Sequence, residues 1–197
     1  RIPFTALDIS PAQVDFVRKF GNEIFYGDAS RVDLLRAAKA DKATIFVLAV
    51  DDVEASLRVA ETVIQHFPNL KIYARARNRQ HAYKLMALGI TILQRDTFLS
   101  SLALAQDVLI GIGMRTADAE KTIATFRAHD ERRLQEHHTH YTDDEKMRAL
   151  AKAAAKELEE MFDRDAAEHG SSRLPTQKTT PDNRDAPEES PSKIQPN

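Results

Sequence analysis

The chain has 197 residues, 42% of them hydrophobic and 29% charged, with a formal net charge of -2 and no cysteine. Its length suits one α/β domain with extensions. The balanced charge gives no pull toward nucleic acid or anionic lipid, and the missing cysteines exclude disulfides, thiolate metal sites and a cysteine nucleophile.

No apolar run approaches the ~18–20 residues that cross a bilayer, and no secretory signal is visible. The chain opens on Arg1 and runs directly into an apolar stretch, so it reads as a piece of something longer.

Ile2 to Leu7 predicts a short buried strand ending in Asp8. Ser10-Pro11 then starts a helix, with a serine cap and proline at the first helical position. Val14, Val17 and Phe20 form its stripe, and Gly21 closes it. Glu23-Ile24-Phe25-Tyr26 predicts the next strand, followed by Gly27-Asp28-Ala29-Ser30 and a short helix bearing Leu34, Leu35 and Ala38. Thr44 to Val50 is almost wholly apolar, as a parallel strand covered on both faces requires. Asp51 or Asp52 caps a helix through about His66. Strand 70–74, helix 79–88, Gly89 and strand 90–93 complete the alternation. Such repetition predicts a Rossmann-like parallel sheet with right-handed crossovers.

From Asp96 onward three helices are expected: 98–112, about 117–138, and 143 to about 167. Five of the eight prolines follow Gly170, so the tail is expected to be disordered. The expected organisation is a nucleotide-binding unit over 1–95, a helical dimerisation and regulatory extension over 96–167, and the tail over 168–197.

Asp8 stands at a strand end, where a carboxylate can hydrogen-bond ribose hydroxyls. A Gly-rich phosphate loop normally precedes it by about 20 residues. Here only seven residues precede Asp8, and no G-x-G-x-x-G occurs. Gly27, Asp28 and Ala29 end the next strand, where small residues admit a flat adenine. Ala49 ends the third. All three tips lie where open α/β sheets bind ligands. Plainer readings stand beside these: a solvated strand-end aspartate, a glycine turn with a Ser30-capped helix, and a helix cap at Asp51-Asp52.

On the predicted helix 117–138, Ala119, Ile123, Phe126, Asp130 and Leu134 share one stripe. A carboxylate buried there needs a cationic partner or a wet groove, unless the stripe has drifted to the exposed edge. Arg95 suits a peptide carboxylate, which guanidinium binds bidentately, or is a surface arginine. Arg75 and Arg77 are read as alternating on one strand and pointing to opposite faces, so that at most one serves a given pocket and the other is a surface ion-pair partner, with Arg75 assigned alongside Arg95. Phe20 is otherwise a helix-to-core anchor. His137-His138-Thr139-His140 reads as a solvated helix end rather than a metal site, since zinc needs three or four converging ligands. No P-loop, G-x-S-x-G or catalytic triad is present, so no enzyme is read here.

Arg18-Lys19-Phe20-Gly21 and Phe25-Tyr26-Gly27-Asp28-Ala29-Ser30-Arg31-Val32-Asp33-Leu34-Leu35 resemble the nucleotide-binding regulatory domain of potassium channels and transporters. His66-Phe67-Pro68, Ala74-Arg75-Ala76-Arg77 and Arg95-Asp96-Thr97-Phe98 are similar, more narrowly, to glutathione-gated potassium-efflux (Kef) systems. The resemblance runs from about residue 4 to 135 and implies a potassium–proton antiporter whose cytoplasmic domain dimerises, binds AMP or NAD(H) and is held shut by glutathione. It further implies a membrane antiporter domain in the parent chain and a flavodoxin-like quinone-reductase ancillary subunit. By the same likeness Asp8 is the ribose acid, Asp28-Ala29 the adenine-side turn, Arg95 a glutathione contact, Phe20 the aromatic displaced by bulky adducts, and Asp130 part of the peptide surface. The family's phosphate loop precedes the strand that begins this chain, so the first strand and the membrane portion are read as missing. The alternatives are a regulatory subunit of another potassium-uptake system, without glutathione control, and a fragment of a nucleotide-dependent oxidoreductase.

Overall fold

The computed structural model describes residues 2–21 and 24–169. The tail expected to be disordered lies outside the described residues from 170 onward. Five short strands alternate with helices: β1 (Leu7–Asp8), α1 (Pro11–Arg18), β2 (Phe25–Tyr26), α2 (Val32–Ala37), β3 (Ile45–Leu48), α3 (Val53–His66), β4 (Lys71–Ala76), α4 (Arg79–Ala87) and β5 (Leu93–Arg95). Three helices follow: α5 (Phe98–Gly111), α6 (Thr116–His137) and α7 (Asp144–His169), with a 3-10 turn at His138–His140 between the last two.

The boundaries follow local chemistry. The Ser10 hydroxyl accepts from Gln13 N–H at 3.3 Å, with proline next in line, and Asp52 accepts from Ala55 N–H at 2.8 Å to open α3. Gly89 and Gly113 end α4 and α5 with φ of 85° and 101°, a region open to glycine at little cost.

All pairings are parallel, as the alternation predicts, but the sheet is in two pieces: β1–β2, and β3–β4–β5. The first expected strand shrinks to Leu7–Asp8, leaving Ile2 and Phe4 at 89% and 76% exposure. Apolar character alone did not bury them, because no neighbouring strand or helix covers that stretch. β3 departs from expectation in the same way. Phe46 and Leu48 turn inward, whereas Ile45 and Val47 face out at 48% and 70% exposure. Both crossover helices, α3 and α4, belong to one face, and β3 is an edge strand. Half of its apolar run therefore meets solvent.

The core lies between that sheet, α3, α4 and α6. It joins Leu48, Val59, Val63, Ala74, Ala76, Tyr83, Leu85, Met86 and Leu134 with Leu35 from α2. Thr62 on α3 donates to the Ser30 carbonyl at 3.2 Å, tying the β2–α2 turn to the larger sheet's helices. No helix among the described residues is long and apolar enough to cross a membrane.

Candidate functional site: strand tips and a buried arginine–aspartate bridge

At the first two strand tips each aspartate turns back on its own backbone. Asp8 Oδ1 accepts from Ser10 N–H at 2.7 Å, and Asp28 Oδ1 from Ser30 N–H at 2.9 Å. These turns fix the carboxylates yet leave further lone pairs for a ligand's hydroxyl or amino groups. Gly27 N–H donates to the Asp8 carbonyl at 2.9 Å, so the two tips are clamped side by side. A side chain at Gly27 would meet Leu34 at 3.2 Å, which favours the missing Cβ. The Ser30 N–H bond, the dominant influence, holds the Asp28 carboxyl below its ordinary value, and Arg58 and Arg31 add to it. Ser30 does not cap α2, whose N-cap is Arg31 without a side-chain bond. Ala49 follows β3 and is exposed, at the tip of the other sheet piece.

The second assembly lies in the helical layer. Asp130 projects from α6 between two guanidinium groups, pairing with Arg95 from β5 and Arg79 from α4. Its side chain is 12% exposed and that of Arg95 is 11%. The stripe through Ala119, Asp130 and Leu134 therefore faces inward, and the need for a cationic partner is met twice. Arg95 also lies over the Phe98 ring, 3.7 Å from its centroid, a favourable cation–π contact. Beside it opens a cavity of about 480 Å³ edged by Gln94, Arg95, Phe98, Arg127, Glu131 and Arg132. That volume lies in the range of small-ligand sites, roughly 300–1,000 Å³.

Two residues assigned with Arg95 lie elsewhere. Arg75 pairs with Gln94 in the register while Ala76 pairs with Arg95, so Arg75 and Arg95 point to opposite faces of the sheet. Arg75 instead bridges Asp51 and Asp96, the latter at 2.8 Å, across the tips of β3, β4 and β5. Opposite faces for Arg75 and Arg77 do not follow from alternation on a strand. Residues two apart share a face of a strand; β4 ends at Ala76, and Arg77 lies beyond it with its N–H directed to His81 Nδ1 at 3.2 Å. Phe20 follows the end of α1, 69% exposed, its ring 5.1 Å from that of Phe16. The core-anchor reading therefore fails for it. His137, expected to be solvated, is 5% exposed.

Arg79 was not singled out from the sequence. A signal existed: an arginine in the first turn of a helix opposes the macrodipole unless a carboxylate offsets it, and Asn78 marks that helix start.

Residues 1–94 match the family model of the TrkA-N domain, and residues 100–180 match that of the potassium efflux system KefB C-terminal domain. The AMP-bound Kef C-terminal domain of Shewanella denitrificans is 40% identical, with a TM-score of 0.62 over 68% of this chain and 82% of that one. The chain belongs to the Kef-type regulatory-domain family. A second similar structure, the GsuK RCK domain, is 24% identical at a TM-score of 0.41, over 48% of this chain and 20% of that one. Membership makes the chain a regulatory domain of a potassium transport system, with a Rossmann-like, nucleotide-binding fold.

Proposed function

We propose that this Kef-type domain senses a nucleotide and glutathione, and through them gates a potassium–proton antiporter carried in the same parent chain at the cytoplasmic face of the bacterial inner membrane. The observation that carries the nucleotide half is the clamped pair of strand tips. Asp8 offers its carboxylate to ribose hydroxyls, Gly27 keeps the approach open, and Asp28-Ala29 border the adenine. Ala49, after β3, borders the far side of the nucleotide. AMP is the favoured ligand, supported by the AMP-bound relative; NAD(H) shares the same adenosine.

The glutathione half rests on Arg95, Asp130 and the neighbouring cavity. A tripeptide carboxylate would share or displace Asp130 on Arg95 while Arg79 retains it. Glutathione and its adducts then favour different states, and gating extends no further than their differential affinity. Phe20, exposed after the end of α1, is the aromatic that bulky adducts would displace. Arg75 serves this reading only as a brace of the strand tips.

The extent of the two family-model matches supports a nucleotide-binding unit over 1–95 and a regulatory extension from 96. Helix α5 exposes Leu99, Leu104 and Val108 at 45–65%, and Ile112, its C-cap, is 51% exposed. That apolar face supports a homodimer, and a flavodoxin-like quinone-reductase subunit completes the assembly. In this reading the domain itself catalyses nothing. Titration calorimetry of Arg95→Ala with glutathione tests it: binding should be lost while AMP binding persists. An unchanged glutathione isotherm would instead favour a regulatory subunit without glutathione control.

A further inference from the structure

Helix α6 carries His129, Arg133 and His137 at four-residue steps, so the three side chains form one line along it. Both histidines are 5% exposed, and Nε2 of each is buried without a hydrogen-bond partner. Buried orphan nitrogens of this kind are uncommon in native folds. Helix α7 reaches the line through Glu157. That carboxylate pairs with Arg133, lies 3.2 Å from Arg132 Nη2, and is 3.7 Å from His129 Nε2.

Around His137 cationic groups outnumber carboxylates, whereas His129 has two arginines against three carboxylates and is disfavoured as a cation first by its burial. His129 faces Arg132, Arg133, Asp130 and Glu136 on its own helix and Glu157 on α7. His137 faces Arg133 and Glu136 on α6, Arg79 on α4 and His140 in the 3-10 turn. Every carboxylate in that set is already engaged: Asp130 by Arg79 and Arg95, Glu136 by Arg133 at 2.8 Å, and Glu157 by two arginines. A proton on either ring would therefore add charge to a desolvated, arginine-lined seam. Burial first, and Arg133 second, hold both imidazoles below their ordinary value.

We propose that the α6–α7 hairpin is an acid-sensitive latch, in which proton uptake by His129 and His137 weakens the hold of α6 on α7. His129 sits where Glu157 fastens the two helices, and His137 sits where the chain turns between them. The inference stands independently of the nucleotide and glutathione assignments. Its sign follows from linkage. Freed histidines titrate near ~6.5, so the latch is at full strength above that value. It weakens as pH falls below it, until the buried rings themselves protonate in the docked state. Two coupled protons allow up to ~100-fold change in the docked-to-released ratio per pH unit, and one allows ~10-fold.

The chain has no cysteine, so Ala124→Cys and Ala153→Cys, both at exposed positions on the two helices, give unique sites for spin labels. Electron–electron distance measurements on the 197-residue chain at pH 7.5 and 5.5 should show the released population rising at least ~10-fold relative to the docked one at the lower pH. In His129→Gln/His137→Gln that dependence should vanish. Equal populations at both pH values, or an undiminished dependence in the double variant, would overturn the latch. Should that variant not fold, NMR titration of the ring protons of the two histidines in the unsubstituted chain decides. Midpoints below ~6.5 support the latch, and midpoints at or above it refute it.

Discussion

The two candidate ligand-binding regions are built on different plans. The strand tips are assembled from neighbours: Asp8 with Ser10, Asp28 with Ser30, each two residues apart. The helical-layer bridge is assembled from strangers: Asp130 meets Arg95 across 35 residues and Arg79 across 51. A locally closed turn survives small shifts of the fold around it. A bridge between three elements exists only while all three are docked, so it reports on their arrangement. The first plan suits a steady nucleotide platform, and the second suits a sensor.

The largest effect is expected at the long-range bridge. Asp130→Ala leaves Arg95 buried beside Arg79 with no carboxylate between them, and should cost about 3–5 kcal/mol in denaturant unfolding. Asp130→Asn, which keeps a hydrogen-bond acceptor, should cost clearly less. A loss under about 1 kcal/mol in Asp130→Ala would mean that the bridge does not hold α6 to the sheet.

Leu104→Glu puts a charge into the exposed apolar face of α5, and should shift the chain to monomer in sedimentation velocity with its circular dichroism intact. Retention of the dimer would place the interface elsewhere.

The smallest effect lies at the local end. The folded-state carboxyl of Asp28 titrates below its ordinary value, so its contribution is fully present above about pH 4 and is lost as pH falls further. Asp28→Asn should flatten the acid side of the stability profile slightly, through an equally small loss of stability at neutral pH. A large loss at pH 7 would contradict a purely local turn.

The same division explains what the sequence disclosed. Ser10-Pro11, Asp52 and Gly89 announced element boundaries because caps and glycine turns are chemistry of adjacent residues. The strand tips were legible for that reason, and Asp130 was legible as an acid out of place on an apolar stripe. Its second partner, Arg79, was hidden because contacts between elements leave no spacing to read. The exposure of Ile45 and Val47 was hidden likewise. An apolar run states that a strand is hydrophobic, not which of its faces a helix will cover. Burial of His137 depended on α4 and the 3-10 turn closing over it, which the run of histidines did not foretell.

Whether adjacent strand tips hold an adenosine is read by calorimetric titration of AMP into the chain and into Asp8→Ala. Loss of charge-assisted hydrogen bonds worth about 1.5–3 kcal/mol should weaken binding by roughly 10- to 150-fold, without unfolding the domain. Equal AMP affinity in the two proteins, or no AMP binding to the unsubstituted chain, would contradict an adenosine held there.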